Sequence, residues 1–440
     1  MSQISAEEYS KQKTEKEHLL RSTASCCPVC LRSLSARIIT RDGNVLLEKD
    51  CPEHGSFTVL ISAHAEDYRV LQDWYFYFLS KPMIQKEYYL NITTRCNIKC
   101  PVCYLDYYKK VDEMSEKTVG HAASFSEIKR FTFSHGEPTA SDNLFRNIKI
   151  LKESGKIVNM HTNALKISDY AYAKSLKESG IDHVSVQFDG FAGQAHKGIR
   201  GTDVRDVKLK ALENLKKLRI PVTLNPTISK SINTSEIGSI LDFAAKEMFI
   251  KDISFITYSH YRKDKEGLED YIMPDEVLDL LAAQSGGLIS REEVIDFQKV
   301  FFAYMSVFKK RKCFYYFHYF LVRNRSGLRR IGDYIDLKKM IARLERLKTK
   351  GRELTVFKFL VFLFFSLKPR VLSFSPRELF DFWRGGYPRE PGKLLSITLA
   401  TICDPYKYDK TIAANCGQGI IDDKQKHESY GSFLVENMER

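Results

Sequence analysis

Short runs with strand-like patterning recur through the middle of the chain: YYLNITT (88–94), RFTFS (130–134), IVNMHT (157–162), HVSVQF (183–188), PVTLNPTI (221–228) and DISFITY (252–258). They are rich in β-branched and aromatic residues and predict strands. Between them apolar residues recur at helical spacing, as from Leu144 to Ser154 and from Ala171 to Gly180. Six strands alternating with helices predict a parallel α/β fold, a partial (β/α)6 TIM-type barrel. Active-site groups then belong at the C-terminal ends of the strands. Nearer the N-terminus, ARIITRDGNVLLEKD reads as a hairpin turning at Asp42-Gly43. Nearer the C-terminus, DLKKMIARLERLKTK places Met340, Ile341, Leu344 and Leu347 on one helical side and Lys338, Lys339, Arg343, Arg346 and Lys350 around the other. The run LTVFKFLVFLFFSL, Leu354 to Leu367, is 14 residues long with Lys358 inside it. It falls short of the roughly 20 needed to span a bilayer and reads as interfacial or buried.

Composition narrows the setting. The chain has 440 residues, 43% apolar and 28% charged, enough for two or more folded domains and too apolar for overall disorder. Its first residues, MSQISAEEYSKQKTEKEHLL, lack the apolar stretch of a secretory signal, which predicts a cytoplasmic protein. Ten cysteines in that setting suggest metal or redox chemistry rather than a disulfide frame.

Three of these cysteines form CxxxCxxC, Cys96-Cys100-Cys103, directly after the first strand-like run. Iron–sulfur cubanes normally take four thiolates, so three leave one iron open to a small molecule. Reduced core residues, or three ligands of a zinc site completed from elsewhere, are the plain alternatives. The stretch CNIKCPVC resembles the CxxxCxφC signature of the radical S-adenosylmethionine (SAM) superfamily, with Val102 in the φ place. That resemblance implies a 4Fe–4S cluster on Cys96, Cys100 and Cys103. It also implies SAM as cofactor, its reductive cleavage to a 5′-deoxyadenosyl radical, and an electron donor such as ferredoxin or flavodoxin. SHGEPT, Ser134 to Thr139, resembles the family's GGEP motif and implies Gly136 and Glu137 at the methionine amine, with His135 replacing the first glycine. HTNA, with Thr162 and Asn163, resembles the TNG stretch that ends the third strand. Ser185, Gln187 and Asp189 share one face of the fourth strand and are expected at the ribose and substrate, although each also suits an ordinary core or turn role.

CPVC at Cys27–Cys30 and CPEHG at Cys51–Gly55 flank the predicted hairpin and resemble a zinc ribbon or rubredoxin-like site. Its expected ligands are Cys27, Cys30, Cys51 and His54, with Cys26 as an alternative and zinc or iron as the structural metal. This module ahead of CxxxCxxC and SxGEPT resembles the superfamily branch of tetraether lipid synthase. That likeness implies further cluster ligands toward the C-terminus, and Cys313, Cys403 and Cys416 are the candidates for an auxiliary iron–sulfur cluster.

The net charge of +13 is local. From Lys309 to Arg370 there are 18 Lys and Arg against four acids, interleaved with CFYYFHYFLV and the Phe-rich run above. Such a region suits an anionic membrane surface, and dense Phe and Leu favour lipid over nucleic acid. The expected organisation is a polar arm (1–24), a metal ribbon (25–66), a core barrel (83–260), a basic, hydrophobic, mostly helical region (261–400) and a C-terminal segment with the auxiliary ligands (401–440). The expected function is hydrogen abstraction from a hydrophobic, lipid-type substrate, with carbon–carbon coupling as its most specific form. Localisation is expected to be cytoplasmic, peripheral at the inner membrane face. A radical SAM peptide maturase and a non-catalytic metal-stabilised binding protein are the rivals.

Overall fold

The computed structural model describes residues 17–79, 83–105, 110–263, 266–324, 327–374, 393–422 and 426–438. Residues 1–16 of the expected arm, and Tyr107 and Tyr108 beside the cysteine array, lie outside them.

A four-stranded antiparallel sheet begins the chain: β1 (His18–Cys26), β2 (Ser33–Arg41), β3 (Asn44–Cys51) and β4 (Gly55–Ser62), in that order. The first strand starts at His18, inside the segment expected to be an arm, so the ribbon begins earlier than its cysteines suggest. Asp42 and Gly43 form the two-residue turn between β2 and β3, with φ of 53° and 75°. Positive φ at both central residues gives the turn the twist its flanking strands require.

After α1 (Ala65–Leu79) comes the main sheet. The expected strands appear as β5 (Glu87–Leu90), β6 (Arg130–Phe133), β7 (Ile157–Thr162), β8 (His183–Val186), β9 (Val222–Leu224) with its short partner strand β10 (Thr227–Ile228), and β11 (Ile250–Thr257). Neighbours from β5 to β9 and on to β11 pair in parallel. Helices α2 (Glu116–Ser124), α3 (Leu144–Glu153), α4 (Tyr170–Glu178), α5 (Gly193–Arg200), α6 (Arg205–Lys217) and α7 (Ile237–Lys246) fill the crossovers. This is the wall of a partial barrel. Its strands are buried on both faces, as helix-covered parallel strands are.

The region after residue 260 supplies helices α8 (Pro274–Gln284), α9 (Arg291–Val307), α10 (Leu337–Thr349) and α11 (Val356–Phe364). It also lengthens the wall, which the sequence pattern did not suggest. β14 (Leu394–Thr401) adds in parallel to β11, and β12 (Tyr316–Asn324) lies antiparallel beside it, edged by β13 (Gly327–Arg330). At the other end β15 (Gly419–Ile421) joins β5 in parallel and carries β16 (Lys426–His427). Two short helices, α12 (Lys410–Ala413) and α13 (Tyr430–Glu436), flank β15 and β16.

The apolar side of α10, Met340, Ile341, Leu344 and Leu347, is buried against its neighbours, so this helix is part of the core. In α11 only Phe359 is fully buried, and Phe357 and Phe364 are 75% and 68% exposed. No helix among the described residues is long and apolar enough to cross a membrane.

Candidate functional site

The cysteine loop leaves the C-terminal end of β5, and SHGEPT leaves the end of β6. Hydrogen bonds join them: the Glu137 amide donates to the Arg95 carbonyl at 2.8 Å. Gly136 lies against this loop with φ 46°, and a Cβ there would stand 2.6 Å from the Thr93 carbonyl oxygen and 2.7 Å from that of Arg95. Glycine is required for that approach. His135, in place of the family's first glycine, takes φ 66°, and Ala164, at the end of HTNA, takes φ 64°.

Glu137 is 1% exposed, and its carboxylate is tightly engaged. Oε1 accepts from the Thr139 amide (3.1 Å) and hydroxyl (2.7 Å) and from the Thr162 hydroxyl (2.6 Å). Oε2 accepts from the Asn163 amide at 2.6 Å and has a lone pair to spare for a cation. Burial pushes the Glu137 carboxyl above its ordinary pKa, against these hydrogen bonds.

Cys96, Cys100, Val102 and Cys103 share one cavity of about 220 Å³ with Gly136, Glu137, Thr162, Asn163 and Gln187. The cavity lies at the C-terminal mouth of the barrel. Three thiols, a buried carboxylate and close-approach backbone on one concave surface form a donor set that fits a three-thiolate cluster and a bound zwitterion.

Two expected residues do not line this cavity. Ser185 is buried in β8. Asp189 is fully buried and held bidentately by Arg200, at 2.8 Å from Nε and 2.7 Å from Nη2, with Lys208 Nζ 3.6 Å away. Burial alone raises this carboxyl, but Arg200 and Lys208 outweigh it and hold its pKa well below the usual range. Asp189 is thus an ion-pair partner and has no free edge for a ribose. Its partner Arg200 lines the cavity near Cys100, and sequence reasoning missed it.

Cys313, Cys403 and Cys416 come from the approach to β12, the end of β14 and the segment before β15, and all reach the same cavity. Burial pushes the Cys313 thiol up to about 12, with Cys416 adding to it. Burial also raises Cys403 well above its ordinary value, with help from Cys313 and Cys416.

In the ribbon, Cys27, Cys30, Cys51 and His54 offer ligand atoms all within 4.8 Å of one another. Cys30 and Cys51 Sγ are 3.9 Å apart, and His54 Nδ1 is 3.4 Å from Cys51 Sγ and 3.7 Å from Cys27 Sγ. A tetrahedron around zinc with Zn–S of about 2.3 Å has edges of about 3.8 Å, so the set fits a four-coordinate metal with no open position. Cys26 points elsewhere, toward the Pro405 carbonyl at 3.7 Å, and is not a ligand of this group.

Residues 19–63 match the HMPTM N-terminal zinc ribbon domain, and residues 90–244 match the radical SAM superfamily. The chain is 29% identical over 314 residues to a 7,8-dihydro-6-hydroxymethylpterin dimethyltransferase of Methanocaldococcus jannaschii, covering 62% of this chain and 60% of that protein. It is 28% identical over 189 residues to a probable GTP 3′,8-cyclase of Pyrococcus abyssi, covering 42% of this chain and 61% of that one. The chain thus spans about three fifths of these relatives' length. Among solved structures, Streptococcus suis SuiB bound to its precursor peptide SuiA aligns with a TM-score of 0.41 and 14% identity over 52% of this chain and 51% of that one. The chain carries a radical SAM superfamily domain behind an N-terminal zinc ribbon.

Proposed function

We propose that the protein is a radical SAM enzyme that takes hydrogen from a hydrophobic, lipid-type substrate, with carbon–carbon bond formation as the most specific outcome. The observation that carries the radical chemistry is the single cavity shared by Cys96, Cys100, Cys103 and Glu137. Those three thiolates would hold a 4Fe–4S cluster, which, fed by an external donor such as ferredoxin or flavodoxin, would supply one-electron reduction of bound SAM. Glu137 receives the ammonium of SAM, oriented by Thr139, Thr162 and Asn163. Arg200 offers its guanidinium to the carboxylate, and Asp189 keeps it charged and aimed. Cys313, Cys403 and Cys416, which line the same cavity, would hold an auxiliary iron–sulfur cluster.

The lipid reading draws support from the lower end of the barrel. There Phe357, Phe364 and Phe365 on and beside α11, and Leu372 beyond it, are exposed among Lys358, Lys368 and Arg370. Such a surface suits peripheral contact with an anionic bilayer from the cytoplasmic side.

A second reading has its own observation. His135 Nδ1, Asn225 Oδ1, Thr257 Oγ1 and Thr401 Oγ1, all of residues lining the upper cavity, are buried without hydrogen-bond partners among the described residues, which favours a polar substrate. The pterin dimethyltransferase relative makes methylation of a small heterocycle the natural form of that alternative.

The test is anaerobic reconstitution with iron and sulfide, reduction, and addition of SAM. The intact protein is expected to form 5′-deoxyadenosine, and Cys100→Ala none. Nucleoside from neither protein, at full iron content, removes the radical reading. Stimulation by a phospholipid extract or by a dihydropterin then separates the two substrate classes.

A further inference from the structure

A second cavity, of about 510 Å³, lies at the opposite end of the barrel from the cysteine loop. Glu87, Arg130, Ile157 and Lys251 mark it as the N-terminal end, because they begin or lie near the start of β5, β6, β7 and β11. The two cavities meet, since Cys313, Tyr316, Cys416 and Gln418 line both.

Its walls differ in chemistry. One is apolar, built from Phe297, Val300, Phe301 and Met305 on α9 and from Phe359 and Leu363 on α11. The other is cationic: of the charged residues lining the cavity, seven are Lys or Arg and one, Glu87, is acidic. Arg130 is paired with Glu87 at 2.8 Å. Lys310 and Lys312 have no carboxylate partner among the described residues. Their ammonium groups face the Tyr304 and Tyr316 rings at 5.8 and 4.7 Å from the ring centres. Burial lowers the pKa of Lys310, against the pull of Glu87. Beside Tyr316, with ring centroids 6.3 Å apart, His318 Nε2 is buried with no hydrogen-bond partner among the described residues.

An apolar wall facing unpaired cations recognises a molecule that has both parts. We propose that the lower cavity binds an anionic amphiphile. Its chain lies along α9 and α11, and its phosphate- or carboxylate-type head group meets Lys310 and Lys312. The site deepens the lipid reading of the function, on which it rests for its purpose: an occupant adjoins the radical chamber across the wall of Cys313 and Tyr316. A free amphiphile and a membrane lipid offer the same chemistry.

Binding is measurable without turnover. Calorimetric titration of the reconstituted full chain, with no SAM present, uses hexyl, octyl and decyl phosphate below their micelle concentrations. Affinity is expected to rise about fourfold per methylene until the cavity is filled. Inorganic phosphate and decyl glucoside, each with half of the chemistry, are expected to bind at least tenfold more weakly than decyl phosphate. Lys310→Met is expected to weaken decyl phosphate about tenfold, the worth of one charge-assisted contact, with little change for decyl glucoside. Val300→Trp is expected to block both. The rim substitution keeps the test sound if the core substitution misfolds. Displacement of decyl phosphate by phosphatidylglycerol vesicles identifies a bilayer lipid as the source. Retention in their presence identifies a free amphiphile.

Affinity independent of chain length, or unchanged in Lys310→Met, overturns the site. The two proposals fail separately. Formation of 5′-deoxyadenosine without alkyl phosphate binding removes only the lower site, and binding without nucleoside removes only the radical reading.

Discussion

His135 and Ala164 hold backbone conformations that L-residues adopt at a cost of roughly 1–2 kcal/mol, and both stand where the resembling motifs carry glycine. Their side chains still find room: His135 packs against the Tyr104 and Tyr430 rings at centroid distances of 5.7 and 5.5 Å, and the Ala164 methyl is small enough to be buried. Gly136 has no such room, with backbone oxygens of Thr93 and Arg95 where a Cβ would go. Gly136→Ala is therefore expected to part SHGEPT from the cysteine loop. It should lower stability by about 2–4 kcal/mol and reduce the iron retained after reconstitution to the level of Cys100→Ala. Denaturant titration and an iron assay check both, and a variant with wild-type iron sinks the idea. The motif was legible because its chemistry demands particular residue types at fixed spacing. Asp189 misled for a physical reason: parity along β8 places it with Ser185 and Gln187, yet the strand ends at Val186 and the chain then turns Asp189 toward Arg200, eleven residues on. Arg200 itself carries no periodic or motif signal, and only the fold brings it to Cys100.

At the scale of elements, the ribbon does more than bind a metal. Its strand β1 holds the segment that follows Cys403: Arg21 pairs with Asp409, the Thr23 hydroxyl donates to the same carboxylate at 2.7 Å, and the Ser25 hydroxyl donates to the Tyr408 carbonyl at 2.6 Å. Lys49, in β3, is buried and donates to the Pro405 and Tyr406 carbonyls at 2.6 and 2.8 Å. Burial pushes its pKa down to about 8. The ribbon thereby sets one of the three distal thiols. Cys51→Ala is expected to lower the melting temperature by several degrees and to speed amide exchange in residues 404–409, while the loop at Cys96–Cys103 keeps its protection. Unchanged exchange at 404–409 would show that the two units are independent. The strands that extend the sheet beyond β11 were the least legible part of the fold. β12 lies within CFYYFHYFLV, an almost unbroken apolar run. A strand buried on both faces has no alternation to separate it from a buried helix. The barrel strands β5 to β11 could be read because Gly, Asp and Lys-rich turns bound each one.

Across the whole molecule, the barrel gathers neutral histidines from separate elements. His135 follows β6, His161 lies on β7, His183 on β8 and His318 on β12. Burial lowers His135 and His161 to about 4 and His183 to about 3, and takes His318 well below its ordinary value. In the unfolded chain each titrates near 6.5. A base whose folded pKa is depressed stabilises the fold fully above the unfolded pKa, and that stability is lost as pH falls toward the folded value. Asp252, in β11, works in the opposite sense, because burial raises its carboxyl to about 6 and the folded state keeps a proton that the unfolded state has released. Glu137 is raised in the same direction. At pH 5 the lowered histidines, His196 among them, outnumber the raised carboxyls Asp252, Glu137 and Asp275, so these groups together make unfolding take up protons. Each net proton is worth about 1.4 kcal/mol per pH unit, so stability is expected to fall as pH drops from 6 to 5 and to level off above 7. Denaturant midpoints at pH 7.5, 6.5, 5.5 and 5 measure the slope, and His161→Gln is expected to flatten it by about one proton. A flat profile down to pH 5 would mean that these imidazoles are already protonated or hydrated in the fold, and that the lumen is more open to water than its geometry shows.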